Sequence, residues 1–142
     1  EARRFKMEKG FVPQKGAAGW QMSNAPVFNM VAHRASLDLF AKAGMTALRE
    51  KSLKLTAYME YLLQQLDHLP FKIITPADPA RRGCQLSLLF EKDGRAVFEQ
   101  LTAKGVIADW REPDVIRIAP VPLYNSFEDC YHFYEILKST EN

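Results

Sequence analysis

The chain has 142 residues, 47% of them hydrophobic and 25% charged, which suits one globular domain with an extended arm and allows a core without covalent staples. A formal net charge of +2 is too small to argue for nucleic acid or an anionic membrane surface. No apolar run approaches the roughly 20 residues that cross a bilayer, and the opening EARRFKMEKG is too charged to read as a signal peptide.

Residues 1–25 show neither helical nor strand periodicity, and Gly10, Pro13, Gly16 and Gly19 mark a glycine-rich arm. Such an arm cannot bury Phe11 and Trp20 alone, so it is expected to lie against another domain or a second subunit. A helix follows. Pro26 suits its first turn, Asn24 or Ser23 its N-cap, and Val27, Met30, Val31, Leu37 and Phe40 recur at helical spacing. Gly44 marks a bend or break. Beyond it Leu48, Leu55, Tyr58, Leu62, Leu66 and Leu69 predict a long amphipathic helix ended by Pro70. The apolar faces of the arm and this helix are expected to drive association.

Residues 71–75 read as a short strand, and 76–83 as a turn-rich connector in which Arg81-Arg82-Gly83 forms a solvated basic turn. Residues 84–90 alternate, with Gln85 and Ser87 on one face and Leu86, Leu88 and Phe90 on the other. Asp93 caps a helix to about Lys104 with Val97, Phe98 and Leu101 inward, and Gly105 stops it. Residues 106–108 and 115–119 predict two more short strands. Ser126-Phe127-Glu128-Asp129 has the form of a capping box with Asp in the fourth place and opens a last helix to about Lys138. The order helix, helix, β, β, α, β, β, α predicts an α+β domain, a long amphipathic helix plus a small, mainly antiparallel sheet covered by helices.

Among residues able to carry chemistry, Arg117 stands out because it interrupts the apolar run Val115-Ile116-Arg117-Ile118-Ala119. A guanidinium there must be paired or open to a cleft, since an unpaired buried charge is costly. It is either an anion-recognition residue, its planar fork suited to a carboxylate, or a strand arginine paired with Asp109, Glu112 or Asp114. Ser23 and Asn24 read first as helix caps, although a helix start also attracts anions. Trp20 is an arm anchor or a flat wall beside an aromatic ligand. His33, His68 and His132 lack metal-ligand spacing, and no GxSxG, Walker loop or GxGxxG occurs. Cys84 and Cys130 form no CxxC pair and read as reduced, partly buried thiols. Tyr124, Phe127, Tyr131, Phe133 and Tyr134, around the last helix, read as core.

Four phrases taken together are similar to kynureninase. They are Arg4-Phe5-Lys6-Met7, Gly19-Trp20-Gln21-Met22-Ser23-Asn24-Ala25-Pro26, Arg82-Gly83-Cys84-Gln85-Leu86, and Ile116-Arg117-Ile118-Ala119-Pro120-Val121-Pro122-Leu123-Tyr124-Asn125-Ser126-Phe127. Their order and separation resemble the family's C-terminal third, which implies the small domain of a fold-type I pyridoxal-phosphate enzyme. The implied division is 1–26 as an arm and end of the large domain with an active-site segment, and 27–142 as the C-terminal small domain. The implied activity is hydrolysis of L-kynurenine, or its 3-hydroxy form, to anthranilate or 3-hydroxyanthranilate and L-alanine, in tryptophan catabolism and NAD biosynthesis.

By the same resemblance, Arg117 binds the substrate α-carboxylate. Asn24 reaches the active site of a partner subunit near cofactor and substrate ring, and Ser23 lies beside it. Lys6, Lys9 and Lys15 do not match the family's Schiff-base lysine motif. The resemblance therefore implies a cofactor held by an N-terminal large domain outside this sequence, and a chain that alone binds no cofactor and supplies no catalytic residue or metal ligand. It further implies a cytoplasmic homodimer acting on a small molecule, with no nucleic acid or membrane partner. Another fold-type I enzyme, such as a cysteine desulfurase or class V aminotransferase, would share the architecture but lacks the combined phrases. A stand-alone ligand-binding α+β module would leave the glycine-rich arm unexplained.

Overall fold

A computed structural model describes residues 9–21 and 23–140, so Arg4-Phe5-Lys6-Met7 and Met22 lie outside the described residues. In chain order the elements are α1 (Val27–Ala43), α2 (Met45–Leu63), β1 (Phe71–Ile73), β2 (Leu86–Phe90), α3 (Gly94–Ala103), β3 (Asp109–Arg111), β4 (Val115–Ile118) and α4 (Phe127–Lys138). The chain divides into two compact units, and the division falls inside α1 between Leu39 and Phe40.

The first unit holds a short 3₁₀ turn, Gly16–Trp20, and most of α1. The Met30 N–H donates to the Pro26 carbonyl at 3.0 Å, so Pro26 takes the N-cap position one residue ahead of the first turn expected for it. A proline is tolerated there because an N-cap needs only its carbonyl. No residue of α1 is buried; Phe28 is 90% exposed.

The second unit contains the core. Gly44, at φ 81°, provides the expected break between α1 and α2, a left-handed conformation that side-chain-bearing residues rarely adopt. Along α2 the buried stripe is Leu48, Ser52, Leu55, Thr56, Met59, Leu62 and Leu63, at helical spacing. The helix ends at Leu63, short of the expected Leu69. Leu66 and Leu69 still reach the core because successive i→i+3 bonds, Leu66 N–H to Leu63 and Leu69 N–H to Leu66, keep the chain coiled without a regular helix.

The four strands form one sheet in the order β1-β2-β4-β3, with every pairing antiparallel. Leu86, Leu88 and Phe90 of β2 and Ile116 and Ile118 of β4 are buried on one face. There they meet Leu55 and Met59 of α2, Val97 and Leu101 of α3, and Cys130, Phe133 and Leu137 of α4. The α+β expectation therefore holds. The helices of the second unit are α2, α3, α4 and the last turn of α1.

Local differences from expectation have local causes. Strand β1 is shorter than 71–75 because the Thr75 side chain, not its backbone, receives the Ser87 N–H at 2.9 Å. Residues 106–108 do not form a strand. The Val106 N–H returns to the Leu101 carbonyl, Val106 and Ala108 pack on the core, and pairing starts only at Asp109. Asp93 precedes α3 in the left-handed region, at φ 57°, and its side chain makes no capping bond. Gly105, at φ 84°, does end that helix.

The Ser126–Asp129 capping box is present in both halves. Ser126 Oγ accepts from the Asp129 N–H at 3.1 Å, and Asp129 Oδ2 accepts from the Ser126 N–H at 2.7 Å. Two further expectations are corrected. Arg82 is not solvated: its side chain is 5% exposed and its Nη2 meets Glu60 Oε2 at 2.5 Å. Of the five aromatics around α4, Phe133 is buried and Tyr134 partly so, whereas Tyr124, Phe127 and Tyr131 are exposed. The buried stripe of α4 is Cys130, Phe133 and Leu137, which turns Phe127 and Tyr131 to its flank.

Candidate functional site

Because Ile116 and Ile118 point into the core, Arg117 between them leaves β4 on the opposite face of the sheet. The register fixes its neighbours: Ser87 of β2 on one side and Asp109 of β3 on the other. A strand of this sequence thus needs no buried guanidinium, and the Arg117 side chain keeps 31% of its surface exposed. Solvent, or a ligand, can reach it.

The Arg117 Nε–H donates to Asp109 Oδ2 at 2.5 Å, and Nη2 pairs with the same oxygen. The Arg111 Nε lies 3.0 Å from that oxygen as well. Of the three acids considered as partners for Arg117, register selects Asp109. Glu112 instead accepts from Trp110 Nε1–H at 2.9 Å, and Asp114 offers its backbone carbonyl to the Phe90 N–H at 3.0 Å. An ion pair this exposed contributes about 1 kcal/mol or less to stability. Pairing does not exhaust the arginine, because a guanidinium carries five donors. Two guanidiniums sharing one carboxylate leave the cluster one net positive charge, the complement of a single carboxylate ligand.

Ser23 and Asn24 share one segment of the first unit, and both are exposed. The preceding turn is tight: a Cβ on Gly19 would stand 2.3 Å from the Gln14 carbonyl oxygen, so no other residue fits there without a shift. Gln21 Nε2–H then donates to the Ser23 carbonyl at 2.8 Å. Trp20, beside them, is 87% exposed.

A cavity of about 470 Å³ opens on the core side of the sheet, lined in part by Met59, Val106, Ile118, Asn125, Cys130 and Phe133. Arg117, on the other face, does not line it. Burial first, and the Asp129 charge second, push the Cys130 thiol up to about 11. That thiol stays protonated near neutral pH and is a poor nucleophile. Both cysteines are free, Cys84 being partly exposed. His33, His68 and His132 are exposed, and among the described residues no group of acids, histidines and cysteines could hold a metal ion. No helix among them is long and apolar enough to cross a membrane.

What sequence reasoning missed is Arg111 on the Asp109 carboxylate and Ser87 beside Arg117. Alternation along residues 84–90 already turned Ser87 away from the core, but which residue it would face depends on pairing across the sheet.

Residues 48–137 match the family model described as the kynureninase C-terminal domain. Among curated relatives, the chain is 57% identical over 135 residues to a kynureninase of Xanthomonas euvesicatoria pv. vesicatoria (strain 85-10), covering 93% of this chain and 32% of that protein. It is 55% identical over 138 residues to a kynureninase of Stenotrophomonas maltophilia (strain K279a), covering 95% of this chain and 32% of that protein. A kynureninase of Flavobacterium johnsoniae is 50% identical over 139 residues, 96% of this chain and 33% of its own length. The chain spans about a third of the length of the curated relatives it matches.

Proposed function

This chain belongs to the kynureninase family, and from that premise we propose that it is the small-domain part of a pyridoxal-phosphate-dependent hydrolase acting on L-kynurenine or its 3-hydroxy form. The products are anthranilate, or 3-hydroxyanthranilate, and L-alanine. Residues 1–26 serve as the arm that ends the large domain, and 27–142 as the C-terminal small domain. The observation that carries the reading is Arg117: a partly exposed guanidinium, held on one edge by Asp109, on an open sheet face with net positive charge. Such a group binds and orients a substrate carboxylate through charge-assisted hydrogen bonds.

Pyridoxal phosphate is anchored through a lysine amine and acts as an electron sink when bound. No lysine lines the cavity of the second unit, so the residues of that cavity do not fit the cofactor. Its anchor is assigned to the two-thirds of the relatives' length that this chain does not match. Ser23 and Asn24 are assigned to the active site of a partner subunit in a cytoplasmic homodimer, where Asn24 approaches cofactor and substrate ring. Their exposure, and that of Trp20, suits groups that meet a neighbour.

The test is turnover by the full-length protein. Incubated with L-kynurenine and pyridoxal phosphate, it is expected to release anthranilate and alanine in equal amounts, while the present chain alone releases neither and acquires no visible cofactor absorbance. A full-length protein that leaves kynurenine intact contradicts the reading.

A further inference from the structure

We propose that Asp109 is the positioning residue of the carboxylate clamp, a role that rests on the reading of Arg117 given above. A free arginine on a sheet face samples many rotamers, and fixing it costs entropy each time a ligand binds. Asp109 removes that cost in advance. It sits directly across the β3–β4 pair from Arg117 and takes Nε and Nη2, the side edge of the guanidinium, on its single Oδ2. The end edge, formed by Nη1 and Nη2, is left facing away from Asp109 and retains the geometry that grips a carboxylate by two parallel bonds.

The same oxygen receives Arg111 Nε at 3.0 Å. Arg111 therefore offsets the negative charge that Asp109 would otherwise present to an incoming anion. Ser87, across the β2–β4 pair, borders the clamp on its other side, and its Oγ accepts from Gln85 Nε2–H at 3.2 Å. The chemistry this arrangement selects is a ligand with one carboxylate, met end-on by a guanidinium whose orientation is already set.

Two effects of removing Asp109 oppose each other, and their signs differ. Loss of the hydrogen bonds frees Arg117 and weakens carboxylate binding, whereas loss of the negative charge strengthens it. The experiment separates them in the full-length enzyme by measuring KM and kcat for L-kynurenine, and the inhibition constant of its decarboxylated amine, in Asp109→Ala, Asp109→Asn and Arg117→Ala. Asp109→Ala is expected to raise KM about tenfold, the worth of a charge-assisted hydrogen bond, with kcat little changed and the amine's inhibition constant unmoved. Asp109→Asn is expected to stay near wild type, because its amide oxygen still accepts from Nε and Nη2. Should Asp109→Ala fold poorly, Asp109→Thr keeps a strand-forming residue while its short hydroxyl cannot span both nitrogens, and the same rise in KM is expected.

An unchanged or lowered KM in the Ala and Thr variants overturns the proposal, as does an equal loss for kynurenine and its decarboxylated amine. If Arg117→Ala weakens kynurenine and the Asp109 variants do not, the positioning role alone fails. If Arg117→Ala itself leaves KM unchanged, the clamp reading fails and the role of Asp109 with it.

Discussion

At the scale of single residues, exposure decides which groups are available for chemistry and which are not. Arg117 is open on one edge and anchored on the other, whereas Cys130, 1% exposed, is held as a neutral thiol by the surrounding core. The consequence for Cys130 is measurable. Labelling at pH 8 with a small thiol reagent is expected to modify Cys84 at least about tenfold faster than Cys130, since the thiolate is the reactive form; equal rates contradict the burial described. The sign of its effect on stability follows from the raised value. Folding favours the protonated thiol, so the contribution is present below the ordinary 9.0 and is lost as pH rises through about 11.

At the scale of elements, what was legible in the sequence is what depends on adjacent residues. The α4 start is a four-residue device, and both of its hydrogen bonds form. Ser126→Ala is expected to cost about 1 kcal/mol in denaturant unfolding at neutral pH. The Ser126 backbone N–H, and then its side chain, hold the Asp129 carboxyl below its ordinary 3.8. That contribution is therefore present above the ordinary value and is lost as pH falls through the lowered one. The penalty of Asp129→Asn is expected to shrink between pH 7 and pH 2, and a penalty independent of pH contradicts the box.

What was not legible depends on distant partners. Spacing alone could not separate the end of α2 from the coiled turns that carry Leu66 and Leu69 inward. Residues 106–108 looked like a strand because they are apolar, yet that apolarity serves core packing and the pairing belongs to Asp109–Arg111. Local sequence offers Arg117 three acids, and only the β3–β4 register selects one. Arg82 sits in a turn that reads as solvated, but its burial is set by Glu60 on α2, 22 residues away. Its Nη1 also donates to the Pro76 carbonyl at 3.3 Å, tying the connector to the helix. Arg82→Ala, which strands a largely buried Glu60, is expected to cost about 3 kcal/mol, and Arg82→Met with Glu60→Leu to recover much of it. Equal stability of the single variant and wild type in urea unfolding contradicts a structural pair.

At the scale of the whole molecule, the buried apolar side chains of the described residues all lie at Leu48 or beyond. The first unit contributes none, and it leaves Phe11, Trp20 and Phe28 more than four-fifths exposed. The apolar face of α2, expected to drive association, is consumed by the core, which leaves the arm and α1 with the exposed apolar residues that association would use. The isolated chain is expected to self-associate with rising concentration in sedimentation velocity, and a monodisperse monomer throughout contradicts this.

The family membership locates this chain in about a third of its relatives' length, and the carboxylate clamp proposed for Arg117 would give that third a task of its own. The measurement that tests this most directly compares wild type and Arg117→Ala of the full-length enzyme, using L-kynurenine and its decarboxylated amine. A carboxylate clamp predicts at least about a tenfold loss for kynurenine and none for the amine. Unchanged kynurenine kinetics, or an equal loss for both ligands, would contradict it.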